Sequence, residues 1–462
     1  MKIAIGRHAA LPLFACWLAL WGHALCFAQS PPSANAPTGS DAGSPQAIPQ
    51  ATTQPGVTRL TATPSSSGYT LSPERTALAI SYDRAVHQFY WVDFAYSVAL
   101  LLLFLRFRIA TRFRDWAERA TDNHFAQAAI FVSALQLTLT ILMLPGAAVT
   151  HWIQRHFGLS IQSWIAWLAD QAKGNLISVI AEIFLVWVLY ALIRHSARRW
   201  WIYVWLGALP VVLFSEFVNP VLIDPLFFHY TPLAASRPDI ARQIERVLVR
   251  SGHPIPEDRI YLMNASQKLT ELNAGLTGLG ASQRVVVWDT TVEHMTVPQI
   301  MFVFCHEMGH YELGHFLKEM IFSEALLLIG LWSGFHIFGW ALRRYGEAWG
   351  LRGPGDWASL PVLLLLLLLF GFVCTPAINA FSRYCEHQAD QYGIELLHAL
   401  DPDASQAAAE AFQILGQENL EEPSPAPLVE WWFYNHPSTA SRVRFANTYN
   451  PWMKGQSPEF VK

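Results

Sequence analysis

The residues best suited to chemistry form one short pattern, H-E-x-x-H, with His306 and His310 at its ends and Glu307 beside the first histidine. On a helix, residues at i and i+4 lie on the same face, one turn apart. The two imidazoles can therefore bind one zinc ion, and Glu307 can take a proton from an attacking water molecule. A pattern this short also arises by chance on buried helices, so further support is needed.

A second polar segment, residues 379–390, follows directly on an apolar run. Zinc usually has four ligands, and a catalytic site leaves one position for water, so one protein ligand is still missing. If the segment is helical, Glu386 and Asp390 share a face. Glu386 can then complete the metal site, and Asp390 can accept a hydrogen bond from a zinc-binding histidine. The alternative is a solvated helix start in which Arg383 pairs with nearby acids.

The composition is that of a membrane protein. Hydrophobic residues make up 52% of the 462 residues and charged residues only 14%, whereas soluble domains carry about 25% charge. The net charge of −4 and the lack of a basic stripe argue against nucleic acid as a partner. We expect a mainly α, polytopic helical bundle in a lipid bilayer, with spans of about 20 residues near 90–109, 124–145, 175–194, 200–219, 318–342 and 358–380.

The polar blocks between and after these spans contain all the candidate site residues. We assign N-terminal membrane helices to 75–219, a catalytic block to 220–317, two further membrane helices to 318–380 and a C-terminal catalytic block to 381–462. The two catalytic blocks must fold together on one side of the membrane. Their patterns predict helices at 239–251 and 403–415, short strands at 259–263 and 284–288, and a zinc helix capped by Thr296.

The first residues are typical of export. Residues 1–28 combine a basic start, an apolar run and a small-x-small cleavage site, which indicates a signal peptide. The alternative is an uncleaved signal anchor, which would add a seventh span. Residues 29–74 are rich in Pro, Ser and Ala, so we expect a disordered tether.

Arginine placement predicts the orientation. The loops after spans one, three and five are rich in arginine and fall on one side of the membrane by counting spans. The positive-inside rule makes that side cytoplasmic. The catalytic blocks are therefore expected to face the periplasm, with the protein in a bacterial inner membrane, and the export signal requires the same orientation.

Several motifs in the same order resemble the membrane zinc metalloproteases of the type I CAAX prenyl endopeptidase kind; HtpX-type proteases are more distant relatives. The zinc helix matches the family, as do S-R-x-x-E-x-x-A-D from Ser382 to Asp390, N-A-x-x-x-G from Asn273 to Gly278, and H-P-x-x-x-x-R from His436 to Arg442. The resemblance covers roughly residues 85–450. One departure is Gly275, which stands where relatives carry an aromatic residue.

This resemblance implies a small α+β zincin-like (gluzincin) catalytic domain within the helical bundle, with one zinc ion per chain. The metal ligands would be His306, His310 and Glu386, with Glu307 as general base. It further implies that His436 stabilises the tetrahedral intermediate and that an edge strand binds the substrate backbone through Asn273 and Ala274. Asp390 and Arg383 are expected to hold the ligand side chains in position without binding the metal themselves.

Three functions remain open at this stage. The first is a zinc metalloendopeptidase that acts on peptides or proteins as the CAAX-processing enzymes do. The second is a quality-control protease of the HtpX kind, which an outward-facing site fits equally well. The third is a non-catalytic scaffold or channel that uses the intramembrane acids Glu182 and Glu324, although the intact Glu307 argues against it. Oligomeric state cannot be predicted from these patterns.

Overall fold

The computed structural model describes residues 68–253 and 255–461. The expected signal segment, 1–28, and most of the tether, 29–74, lie outside the described residues. The end of that tether needs correction, because Tyr69 is buried in the core of the catalytic domain and donates a hydrogen bond to the carbonyl of Glu421 at 3.0 Å. An aromatic ring with a partner for its hydroxyl is well suited to such burial. Tyr69 therefore belongs to the folded part of the chain and not to a disordered tether.

Long helices dominate the described chain. In chain order the α-helices are α1 Pro73–Arg106, α2 Ile109–Ala120, α3 His124–His156, α4 Trp164–His195, α5 Trp200–Val218, α6 Leu233–Ser236, α7 Pro238–Arg250, α8 Asp289–His294, α9 Val297–Glu312, α10 His315–Trp349, α11 Leu360–His398, α12 Ala404–Glu418, α13 Pro427–Phe433 and α14 Thr439–Thr448.

Six of these elements are long and apolar enough to cross a membrane, as the sequence predicted: α1, α3, α4, α5 with the turns that extend it to Leu226, α10, and α11 with the turn before it. They are longer than the apolar runs that revealed them. The 39 residues of α11 extend well beyond the about 20 that a bilayer requires. Helices that continue out of the bilayer carry site residues directly from the membrane part into the catalytic domain.

The starts of these helices follow ordinary capping chemistry. Ser72 accepts a hydrogen bond from the backbone N–H of Arg75 at the start of α1, and Asn123 caps α3 in the same way. Helix α9, which carries His306 and His310, begins with a reciprocal capping box between Thr296 and Gln299, which confirms the start predicted from the sequence.

A four-stranded sheet lies beside α9, in the order β1 Tyr230–Pro232, β2 Ile260–Met263, β4 Arg284–Trp288 and β3 Ala274–Thr277. Strands β2 and β4 are parallel, and the outer strands run antiparallel to their neighbours. Strand β4 is buried along its whole length, as its run of three valines predicted. Strand β3 lies at an edge of the sheet, which leaves one side of it without a strand partner.

The core of the catalytic domain joins both polar blocks. Residues of α7, α9, β4, α12 and α14 pack in one apolar cluster that includes Ile244, Phe302, Val285, Phe412 and Val443. The two blocks, which are separated in sequence by α10 and most of α11, therefore form one domain.

Candidate active site

The site forms where α9 crosses α11 at very short range. A Cβ atom on Gly393 would lie 2.9 Å from the backbone nitrogen of His306, and one on Gly309 would lie 3.1 Å from the Cα of Ala389. Larger residues at either glycine would push the helices apart. Their close approach brings Glu386 of α11 against both histidines of α9.

The three predicted ligands converge. The Nε2 atoms of His306 and His310 are 3.3 Å apart, and the Glu386 carboxylate oxygens lie 3.3 Å and 3.6 Å from them respectively. A tetrahedral zinc with bonds of 2.0–2.2 Å would hold its ligand atoms about 3.3–3.6 Å apart. Two imidazoles and one carboxylate also form the donor set of many catalytic zinc sites. These residues therefore fit a zinc ion in both chemistry and spacing.

The other ring nitrogen of His306, Nδ1, contacts a buried ion pair formed by Asp390 and Arg442. This nitrogen lies 2.8 Å from Asp390 Oδ1, as predicted, and Asp390 in turn accepts two hydrogen bonds from Arg442, from Nε at 2.8 Å and from Nη2 at 2.5 Å. Burial lowers the pKa of His306, but Asp390 and Glu386 outweigh it and raise that pKa above its ordinary value. Asp390 fixes Nδ1 as the protonated ring nitrogen, so Nε2 presents its lone pair to the metal position.

His310 has a second partner that the sequence reasoning missed. Its Nδ1 lies 3.0 Å from Nδ1 of the buried His315, whose Nε2 lies 3.2 Å from Oε1 of Gln388. The amide oxygen of Gln388 accepts a proton from His315 Nε2, which leaves Nδ1 of His315 as an acceptor for His310. This chain directs the lone pair of His310 Nε2 towards the metal position.

Glu307 lies against the edge strand β3. It is largely buried, and a Cβ atom on Gly275 of β3 would lie 3.5 Å from its Oε2. The absence of a side chain at Gly275 leaves space between the carboxylate and the strand. A peptide paired with β3 would therefore pass directly beside the carboxylate.

The predicted substrate-binding residues lie at the start of that strand. The backbone of Asn273 is fixed by two hydrogen bonds with the hydroxyl of Thr291, each 2.7 Å long, and Ala274 pairs with Val287 of β4. The side-chain oxygen of Asn273 is buried and has no hydrogen-bond partner within the described chain. A buried acceptor without a partner is costly, which is consistent with a group that a substrate N–H satisfies.

His436 reaches the site from a turn after α13. Its Nε2 lies 3.2 Å from Oε2 of Glu386, and its Nδ1 lies 2.8 Å from the side-chain oxygen of Asn435. Arg383 does not contact the ligands, in contrast to the supporting role expected for it. It donates instead to the backbone carbonyls of Glu430 and Tyr434 and thereby holds the segment that carries His436.

Gly278, the last residue of the N-A-x-x-x-G element, ends the edge strand. Its φ is +86°, and a Cβ atom there would lie 2.4 Å from the carbonyl oxygen of Ser282. Only glycine fits both the left-handed backbone and this contact. The motif therefore ends the strand with a turn that no other residue could make without displacing Ser282.

Family models match most of the chain in two parts. Residues 56–229 match the N-terminal part of CAAX prenyl proteases, described as five membrane helices, and residues 234–450 match peptidase family M48. The "uncharacterized metalloprotease YhfN" of Bacillus subtilis is 33% identical over 81% of this chain and 86% of its own length. CAAX prenyl protease 1 of Saccharomyces cerevisiae is 25% identical over 79% of this chain and 83% of its own length.

The fold has also been observed by crystallography. The crystal structure of Ste24p from S. mikatae aligns with a TM-score of 0.71 at 23% identity, covering 82% of this chain and 90% of that one. Together, the two matched family models, the level of identity to YhfN and the six membrane-spanning helices establish that this chain is an integral-membrane metalloprotease of peptidase family M48.

Proposed function

We propose that the protein is a zinc-dependent endopeptidase with one zinc ion per chain, held by His306, His310 and Glu386. The observation that carries this proposal is the spacing of the three ligand atoms, 3.3–3.6 Å between the two imidazoles and the carboxylate. The bound metal would polarise the scissile carbonyl and lower the pKa of a water molecule.

The chain's own residues supply the remaining chemistry. Glu307 takes a proton from the attacking water and passes it to the leaving amine. His436 donates a hydrogen bond to the oxygen of the scissile carbonyl as that oxygen becomes negative. The backbone of Asn273 and Ala274 extends the sheet onto the substrate peptide, and the Asn273 side chain accepts one of its N–H groups.

Metal analysis tests the ligand set. The wild-type protein is expected to contain one zinc per chain, and His310→Ala and Glu386→Ala are expected to lose most of it. Glu293→Gln serves as the matched control, because Glu293 is an exposed carboxylate of the same domain. Full zinc retention in Glu386→Ala would remove Glu386 from the ligand set.

Two substrate classes fit this site. The relatives named CAAX prenyl protease 1 favour a peptide with a prenylated C-terminal motif, whereas an outward-facing site favours damaged membrane proteins. A direct comparison separates them: cleavage of a farnesylated CAAX peptide, but not of its unprenylated form, supports the first class. Equal cleavage of both peptides, together with turnover of an unfolded membrane protein, supports quality control.

We further propose that the catalytic domain faces the periplasm of a bacterial inner membrane. The arginine-rich segments 106–123, 194–200 and 343–356, which include α2 and the end of α10, lie at the opposite ends of the spanning helices from the three candidate ligands. A reporter that is active only outside the cytoplasm should be active when fused after Lys462 and silent within residues 112–120. The reverse pattern would place the site in the cytosol.

A further inference from the structure

The membrane part contains two neighbouring cavities on the side remote from the zinc ligands. The first, of about 380 Å³, lies between α4, α5, α10 and α11 and is lined almost entirely by apolar residues, among them Val204, Leu331 and Leu366. The second, of about 430 Å³, lies among the α4–α5 turn, the end of α10 and the α10–α11 loop. Trp200 lines both cavities, so the two lie next to each other, one nearer the loops and one deeper in the bundle.

The second cavity is partly polar and carries basic side chains. Arg343, Arg352 and His336 line it. Arg352 is already paired with Glu118 at 2.8 Å and with Asp115 at 3.3 Å. Arg343, by contrast, has no ion pair within the described chain. Its guanidinium folds back along α10, with Nη1 3.3 Å from where a Cβ of Gly339 would lie, so the charge is held beside the cavity.

The apolar cavity exists partly because α10 lacks side chains there. Gly334 lines it, and a Cβ atom added at Gly334 would meet no atom within 4 Å. From Arg343 to Leu327, at the far end of the apolar cavity, α10 rises about 24 Å. Half the thickness of a bilayer, headgroups included, is about 20–22 Å. The combined length of the two cavities therefore matches the depth of one leaflet.

We propose that these two cavities together bind one anionic phospholipid, with its phosphate at Arg343 and an acyl chain against Trp200 and Gly334. A cationic pocket between membrane helices that leads into an apolar slot suits the charge and shape of such a lipid. The lipid tail of a substrate at the metal centre is a poorer occupant. Arg343 lies about 42 Å farther along α10 than His315, which is beside the zinc ligands.

Native mass spectrometry of the purified full-length protein, with phosphatidylglycerol or phosphatidylcholine added to the detergent, tests this proposal. The wild-type protein is expected to retain one phosphatidylglycerol and to prefer it to phosphatidylcholine. Arg343→Gln should bind phosphatidylglycerol about tenfold more weakly, as expected for the loss of a hydrogen bond to a charged group. Gly334→Phe should lose both lipids, because the ring fills the open space.

Arg344→Gln is the matched control, since Arg344 is the adjacent arginine but does not line the cavity; it stacks over Tyr345 instead. It should retain phosphatidylglycerol as the wild type does. Equal losses in Arg343→Gln and Arg344→Gln, or equal retention of the two lipids by the wild type, would overturn the proposal. So would displacement of the lipid by millimolar inorganic phosphate, which would assign the site to free phosphate. A photo-crosslink from position 334 to residues 11–25 would also overturn it, because the chain itself would then fill the apolar cavity.

Discussion

Asp390→Asn tests the buried support of the metal centre. Asp390 is 1% exposed, lies 2.8 Å from His306 Nδ1 and accepts two hydrogen bonds from Arg442, which is itself 2% exposed. The substitution keeps the size of the side chain but removes its charge. It weakens the orientation of His306 and leaves the Arg442 guanidinium with Glu386, at 4.0 Å, as a more distant acid.

Two losses follow from this geometry. Removing a partner of a metal-binding histidine typically lowers metal affinity 10- to 100-fold, so the zinc dissociation constant is expected to rise by about that factor. Leaving a buried charge without its partner costs about 3–5 kcal/mol. Because Glu386 remains near Arg442, we expect the lower end of that range, about 3 kcal/mol, and a lower midpoint of thermal unfolding in the metal-free protein.

Chelator competition measures the affinity, and thermal unfolding in detergent with and without zinc measures the stability. The double variant Asp390→Asn/Arg442→Gln removes both charges, so it should recover much of the stability but not the zinc affinity. Glu293→Gln should change neither property. A zinc dissociation constant for Asp390→Asn within twofold of the wild type would refute the role assigned to Asp390.

Three further predictions follow from the site. Zinc binds the neutral imidazole, and Asp390 and Glu386 raise the pKa of His306 in the metal-free site above its ordinary value of 6.5. Zinc affinity should therefore fall as the pH drops from 8 to 6, because protons then compete with the metal for His306. A constant affinity over that range in a chelator titration would contradict this prediction. His436→Ala should lower kcat about 100-fold with zinc content unchanged, and metal analysis alongside peptide kinetics checks both. Gly278→Ala should lower the free energy of unfolding by about 1–3 kcal/mol through backbone strain, and the midpoint of thermal unfolding should fall accordingly. Gly280→Ala should have the smaller effect, because Gly280 also has a positive φ but a Cβ there would meet nothing within 4 Å.

The sequence predicted the parts of the site that follow helical periodicity. His306 and His310 are one turn apart on α9, and Glu386 and Asp390 are one turn apart on α11, so their spacing alone indicated shared faces. The order of the family motifs supplied Asn273 and His436, whose elements have no distinctive periodicity. The six spans were found because their apolar runs are long.

The remaining features depend on packing between distant segments. His315 follows Gly314, whose left-handed backbone, with φ of 63°, separates α9 from α10; a residue beyond that break has no fixed position relative to His310 in a spacing argument. Arg383 sits in a motif beside Glu386, yet its partners are carbonyls about fifty residues later in the chain. The C-terminal end of α11 was predicted at residue 380 but lies at His398, because hydropathy detects only the apolar part of a helix.

The most direct test of the central claim is the rate of peptide hydrolysis by Glu307→Gln, measured together with its zinc content. The substitution keeps the shape of a buried side chain that faces β3 and is not among the three converging ligand atoms. It should therefore retain one zinc per chain and cleave peptides at least about 100-fold more slowly than the wild type, because the proton acceptor is lost. Cleavage at a rate close to wild type with zinc bound would contradict the mechanism.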